Sequence, residues 1–265
     1  MSIFHYTFIL HGLSAGIIVA VIAPLIGIFL VLKRYSLIAD TLAHISLAGI
    51  AIGLITGISP ILTGLGATIL GSIGVERLRI SKKIYGESAL ALFLSGSLAL
   101  AIVLLSLSHG FNTNLFNYLF GSIVTVTIGD VYTILGLAVI VIIVLSLFYR
   151  ELLYVTFDEE AAQVSGIPTR RINFILIILS ALLVSVAIPI VGVLLIGALV
   201  VIPVISALQL KRNFLQTIIY AEVISLFSVI TGIFISFYFD LSTGGTIVLL
   251  MLAIFFTIYI IKNNL

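Results

Sequence analysis

SLIADTLAHISLAGIAIG, residues 36–53, is an apolar run interrupted by one carboxylate and one imidazole. Asp40 and His44 stand four residues apart. On a helix they share a face, about 40° apart around the axis and roughly 6 Å along it. An oxygen and a nitrogen at that spacing can meet one cation. Gly49, Gly53 and Gly57 form a second row at the same interval, and small residues so spaced let helices approach closely. At about 100° per residue, Asp40 and Gly49 lie roughly half a turn apart. One face can then dock on a neighbour while the other looks into a pathway.

The surroundings of this run decide the fold. Of 265 residues, 62% are hydrophobic and 8% charged, and the mean hydropathy is +1.40. Soluble domains are about 45–50% apolar and about 25% charged. This much apolar surface cannot be hidden inside a soluble globule, so the solvent is a lipid bilayer. A net charge of +2, with basic residues scattered in short clusters, offers no face for nucleic acid. The absence of Cys excludes disulfides and thiolate metal sites. The N-terminus has no basic n-region or small-residue cleavage site, so its first apolar run is expected to remain as a spanning helix. No GxxxxGK[ST] phosphate loop occurs; if transport costs ATP, another polypeptide binds it.

With about 20 apolar residues per crossing, the expected spans are 7–32, 36–57, 61–75, 88–108, 131–149, 172–188, 191–210, 214–238 and 245–261. A break is expected at Ile188-Pro189, and the third span should stop at the charged run Glu76 to Glu87. Residues 115–130 are short and broken by Gly121 and Gly129, and read as an interfacial or re-entrant piece. With nine crossings and the N-terminus outside, all twelve Lys and Arg fall on the inner side, as basic residues do. The expectation is an all-α integral membrane protein of about eight to nine transmembrane helices, one domain over 1–265.

Ionisable groups inside spans are costly and point to function. Here they are Asp40, His44 and Glu222, with His11 in the first span; Asp130 and Asp240 sit at span boundaries. Asp40 and His44 can also bond to each other or to a backbone carbonyl, because Asp40 lies only ~9 Å beyond Arg34 on a straight helix. Glu222 lies ~15 Å beyond Arg212, about halfway across the hydrocarbon. It is either a third metal ligand or a neutral side chain hydrogen-bonded between helices. His11 reads as a packing residue.

Phe157 to Pro168 reads as one short capped helix on the inner side. Asp158 is a good N-cap, and Glu159 and Glu160 suit the positive end of the helix dipole. Gly166 fits the left-handed position after the C-cap, and Pro168 prevents continuation. The segment either tidies a loop or serves as a docking knob for a cytoplasmic partner.

Five stretches together carry a resemblance: SLIADTLAHISLAGIAIG (36–53), YLFGSIVTV (118–126), FDEEAAQVSGI (157–167), VGVLLIGALVVIP (191–203) and ISFYFDLSTGGTIVL (235–249). The chain resembles the permease subunit of the zinc/manganese-type ABC metal importers of the bacterial plasma membrane. The resemblance implies a homodimer of cobalamin-importer-like (type II) architecture, working with cytoplasmic ABC ATPase subunits that bind ATP and an extracellular metal-binding protein. It implies metal passage at Asp40 and His44, with no permanently bound cofactor. It also implies a coupling helix carrying Phe157, Asp158, Glu159, Glu160, Ala161 and Gly166. Glu222 is not part of the resemblance. The family commonly has Pro before Gly in the last stretch, where Leu241-Ser242-Thr243-Gly244-Gly245 has none.

Ligation by oxygen and nitrogen without sulfur suits Zn2+ or Mn2+. The first two stretches look most like zinc-importing members, so zinc is the expected cargo, with manganese or iron as alternatives. A proton-coupled secondary transporter would use Asp40, His44 and Glu222 as a relay without an ATPase. An intramembrane metalloprotease lacks its HExxH here.

Overall fold

The computed structural model describes residues 7–81, 85–107, 118–121 and 126–263. The described residues are helical throughout apart from turns, as a bilayer demands when every backbone donor and acceptor must be satisfied within the chain. In order they form α1 (Thr7–Leu32), α2 (Ile38–Thr56), α3 (Pro60–Ile80), α4 (Gly86–Leu107), α5 (Ile128–Leu147) and α6 (Tyr149–Phe157). Then come α7 (Glu159–Val164), α8 (Thr169–Val191), α9 (Val193–Leu208), α10 (Phe214–Phe239) and α11 (Thr243–Asn263). Eight of these are long and apolar enough to cross a membrane, and α9 is a shorter apolar helix.

Two ends of the bundle are defined by side chains. At one, Phe8 of α1 lines a cleft with Asp240 and Thr243 at the α10–α11 turn. Gly244 there sits against the Val191 and Phe120 carbonyls. At the other, Phe214 at the start of α10 meets the rings of Phe29, Tyr149 and Phe157. Lys33, Arg79 and the acids of α7 lie at this second end. Although α9 has only 16 residues, ~24 Å of helix, it connects these two ends. It starts at Gly192, packed on Gly121, and leads into Lys211-Arg212-Asn213 before Phe214. Lys33, Arg79 and Lys211-Arg212 thus gather at the second end of the bundle.

Three boundaries differ from expectation, each for a physical reason. First, α3 continues past Glu76 to Ile80. The Glu76 carboxylate takes a two-pronged bond from Arg79, at 2.7 and 2.6 Å, and a neutralised i, i+3 pair does not end a helix. Second, the break lies at Gly192 rather than Ile188-Pro189. Pro189 is absorbed in the last turn of α8, whereas Gly192 adopts φ 89° and ψ 154°, a region open essentially only to glycine. Third, the chain after the fifth span does not run as a loop from 150: Tyr149–Phe157 form a separate helix, α6, ahead of the short capped helix expected from Asp158 onward, which is α7. Phe157 ends α6, and extended backbone at Asp158 separates α6 from α7. Leu152 and Val155, three residues apart, bury one face of α6.

Tyr118 to Phe120 are helical, and Gly121 rests on the backbone of Ile190 to Gly192. Within the stretch expected to be interfacial, residues 115–117 and 122–125 lie outside the described residues. The expected ridge on α2 faces α3: Gly49 lies against Thr63, Gly64 and Ala67, and Gly53 against Pro60 and Thr63. Gly57 is not part of it. It caps α2 in a left-handed conformation, φ 73°, where a side chain would meet open space.

Candidate functional site

Asp40 stands in the first turn of α2, where the positive end of the helix dipole favours a carboxylate. The opposite face of α2 is held by α3, and Asp40 turns toward α9 at Gly197, with His44 one turn further along the same helix. The Asp40 carboxylate is half-buried and lies directly on the backbone of α9 at Gly197. A Cβ built at Gly197 would fall 1.7 Å from Asp40 Oδ1, so only glycine leaves room for the carboxylate there. One turn on, His44 is half-buried, and its Nδ1 is shielded from solvent with no hydrogen-bond partner. Of the sequence-based alternatives, His44 Nδ1 therefore makes no bond to Asp40 or to a carbonyl. The arrangement offers one carboxylate and one unengaged imidazole nitrogen on a single helix face.

Glu222 is half-buried on α10, with Oε1 shielded and without a partner. Its helix packs chiefly on α1, α9 and α11 rather than on α2. Among the described residues, no three His, Asp or Glu side chains come together to hold a metal. Glu222 thus does not complete a ligand set with Asp40 and His44 within one chain. The boundary residues Asp130 and Asp240 both serve as helix caps, the first through its carboxylate and the second through its backbone. Asp130 forms a reciprocal capping box with Thr127 at the start of α5, and Asp240 caps α10 through its N–H to Ser236.

The short helix α7 is capped as its residues require. Asp158 Oδ1 accepts from Ala161 N–H at 2.8 Å. At the other end Gly166 takes φ 85°, Ile167 N–H donates to Ala162 and Gly166 N–H to Gln163; this is a Schellman cap. Glu160 and Gln163 are exposed, and Val164 is 89% exposed, an apolar side chain left in water unless a partner covers it.

A connection absent from the sequence reading ties this helix to the rest of the protein. Lys33, one residue past α1, has a side chain only 4% exposed. Its ammonium donates to Glu159 at 3.2 Å, to the Val155 carbonyl and to Asn173 Oδ1. Asn173 Nδ2 donates in turn to the other Glu159 oxygen at 2.8 Å. Burial pulls Lys33 below the ordinary lysine range, against the opposing pull of Glu159. Lys33 also lies 5.7 Å from the Tyr35 ring centre, and the Arg79 guanidinium sits 4.3 Å from the same centre. The α1–α2 turn, α3, α7 and α8 therefore meet in one polar cluster, five residues before Asp40 at its nearest point, Tyr35. Lys33 reads in the sequence as a sidedness marker, and only the lone amide of Asn173 in an apolar run hints at a partner.

Comparison with known proteins places these features in a family. The ABC 3 transport family matches residues 5–262. A metal transport system membrane protein of Treponema pallidum is 36% identical, covering 95% of this chain and 96% of its own. The manganese transport system membrane protein MntC of Halalkalibacterium halodurans is 29% identical over 94% and 86%. The high-affinity zinc uptake membrane protein ZnuB of Haemophilus influenzae is 30% identical over 90% and 91%. PsaBC from Streptococcus pneumoniae, solved in complex with Fab, superposes with a TM-score of 0.85 at 26% identity, covering 96% of this chain and 91% of that one. An inward-facing metal-chelate type ABC transporter shares the fold, with a TM-score of 0.69 at 18% identity over 95% and 84%, in keeping with the expected type II architecture. Named relatives are mostly manganese permeases, with one for zinc, so the expectation of zinc is not specifically favoured. The chain is a multi-pass membrane permease of the ABC 3 transport family, the transmembrane subunit of a manganese- or zinc-type importer whose ATPase is a separate partner.

Proposed function

We propose that this permease passes Mn2+ across the membrane at Asp40 and His44, at the interface of a homodimer, driven by ATP hydrolysis sensed through α7. The observation that carries this reading is the unengaged, shielded Nδ1 of His44 one turn from the Asp40 carboxylate. A buried imidazole nitrogen without a partner is costly, and a transiting cation relieves that cost. Manganese is preferred over the sequence-based zinc because the named relatives are mostly manganese permeases.

Two ligands bind a dication weakly, which suits a site that must release its cargo. A second copy of the chain supplies a matching pair, consistent with the lack of a three-ligand group among the described residues of one chain. Movement of the ATPase pushes α7 at Phe157, Asp158, Glu159, Glu160, Ala161 and Gly166. Glu159 and Lys33 pass that displacement to the α1–α2 turn, and hence to the first turn of α2. An extracellular binding protein delivers the metal at the Asp240 end.

The test is ATP-dependent Mn2+ uptake by proteoliposomes holding the permease, its ATPase and its binding protein. Asp40→Ala with His44→Ala is expected to abolish uptake while the complex still assembles. Intact uptake would remove the site assignment. Competition between Mn2+ and Zn2+ in the same vesicles decides the cargo.

A further inference from the structure

A cavity of about 620 Å3 opens between the cytoplasmic halves of α3 and α8. Three guanidinium groups line it: Arg77 from α3, and Arg170 and Arg171 from α8. All three are exposed, and none has a carboxylate partner among the described residues. The cavity's acid, Glu76, is 3% exposed and already engaged by Arg79, so it does not neutralise them. The two helices run in opposite directions, yet both walls change character in the same order. Ile73 lies one turn deeper than Arg77, and Phe174 and Ile175 lie about one turn deeper than Arg171. Ile80 also lines the mouth, about one turn beyond Arg77; the three cations nevertheless all lie near the mouth, and Ile73, Phe174 and Ile175 lie ~6 Å further in. Phe174 is exposed, and Ile73 and Ile175 are only half-buried, so the apolar part of the cavity opens to the outside of the bundle.

We infer that this cavity is a binding site for an anionic phospholipid of the inner leaflet, with the phosphate held by Arg77, Arg170 and Arg171 and the upper acyl chain against Ile73, Phe174 and Ile175. Guanidinium groups match phosphate oxygens in pairs, and basic pockets between spanning helices on the cytoplasmic side suit such headgroups. A soluble partner could meet the arginines, but its segment would have to enter at hydrocarbon depth to fill the apolar half. An amphiphile fills both halves without that cost. Bound there, the lipid bridges α3 and α8, the helices that carry Arg79 and Asn173 of the coupling cluster.

The test uses the intact permease–ATPase complex in nanodiscs of phosphatidylcholine containing a minor fraction of phosphatidylglycerol, followed by native mass spectrometry of the lipids retained. Wild-type protein is expected to retain phosphatidylglycerol in clear excess over its share. Each of Arg77→Gln, Arg170→Gln and Arg171→Gln should lower that excess by about fivefold, and the triple change should erase it. Ile175→Trp, which leaves every charge in place and fills the apolar end, should also displace the lipid. Arg150→Gln, on the same side but outside the cavity, should leave it bound. The inference is overturned if wild-type protein shows no headgroup preference, if Arg150→Gln lowers retention equally, or if Ile175→Trp has no effect. It is likewise overturned if the triple variant keeps its lipid but sheds the ATPase, which would make these arginines a protein-docking surface.

Discussion

Replacing Gly197 by Ala tests the site through a residue that carries no ligand atom. A Cβ at this position falls 1.7 Å from Asp40 Oδ1, whereas real Cβ contacts are essentially never under 3.0 Å. Something must give by about 1.3 Å. The backbone of α2 has little freedom to retreat, because Gly49 and Gly53 seat it on α3 with no room for even a methyl group. On the other side Gly27 presses α1 onto the Val200 carbonyl and fixes α9. The softest element is the Asp40 side chain itself, which can swing about χ1. The carboxylate therefore leaves its place while the helices stay, at an overpacking cost of about 1–3 kcal/mol. Metal ligands are held to within about 0.2 Å, and misplacing a reacting group by about 1 Å can cost about a hundredfold. Uptake by Gly197→Ala in the reconstituted transporter is expected to fall by about ten- to a hundredfold. Adding Asp40→Ala should bring little further loss, because the two changes act on one group. Wild-type uptake by Gly197→Ala would refute the idea that this contact places the carboxylate. A double variant far worse than Asp40→Ala alone would show that Gly197 serves helix packing instead.

Lys33→Met removes a buried ammonium and leaves the Val155 carbonyl and Asn173 Oδ1 without that donor while water reaches the half-exposed Glu159, so it should cost about 1–3 kcal/mol and leave the complex folded. ATP hydrolysis should continue with metal transported per ATP reduced about tenfold, a loss of coupling of about 1.4 kcal/mol; unchanged stoichiometry would remove Lys33 from the transmission. Val164→Asp places a charge where an apolar side chain awaits cover, and should weaken ATPase association at least about tenfold in pull-down titration. An unaltered affinity would mean that α7 is not the docking knob. Glu222→Gln keeps shape and hydrogen-bonding capacity, and is expected to leave uptake within about twofold. Collapse of uptake together with new sensitivity to the proton gradient would instead restore the proton-coupled alternative.

Hydropathy and the placement of twelve basic residues make the crossings legible, because every apolar pass has to be long and every loop charge has to choose a side. The Gly49–Gly53 ridge is legible for a similar reason: its spacing is local, and small residues at that spacing have few other uses in a bilayer. The end of α3 is misread because a charge looks like a loop until its partner is seen, although Glu76 and Arg79 stand at a pairing interval in the sequence itself. α6 is hidden inside a polar stretch because only Leu152 and Val155 turn inward. The seat of Asp40 on Gly197 joins helices far apart in the chain. No periodicity within either helix encodes that contact, and a glycine in an apolar run does not announce which neighbour needs the space.

In the proposed mechanism, the placement of Lys33 shortens the path from a push on α7 to Asp40. If the knob and the metal site were remote, a push on α7 would have to cross a packed bundle whose helices tolerate little deformation. Glu159 instead reaches the turn between α1 and α2 directly. That turn is held by Tyr35 N–H on the Leu30 carbonyl and by Ile38 N–H on the Tyr35 carbonyl, with Arg34 in a left-handed conformation, φ 60°. A tight turn with a residue in that region is a place where a small rotation can be absorbed. Asp40 lies in the first turn of the helix that follows. Tilting the start of α2 by even a small angle slides the carboxylate across Gly197, while the glycine ridge on the other face acts as the fulcrum on α3. The two unusual features of α2, a polar pair on one side and a glycine seam on the other, then belong to one device. In the proposed mechanism the seam holds the middle of the helix on α3 as a pivot, and the pair near its start binds or releases the metal as that end tilts.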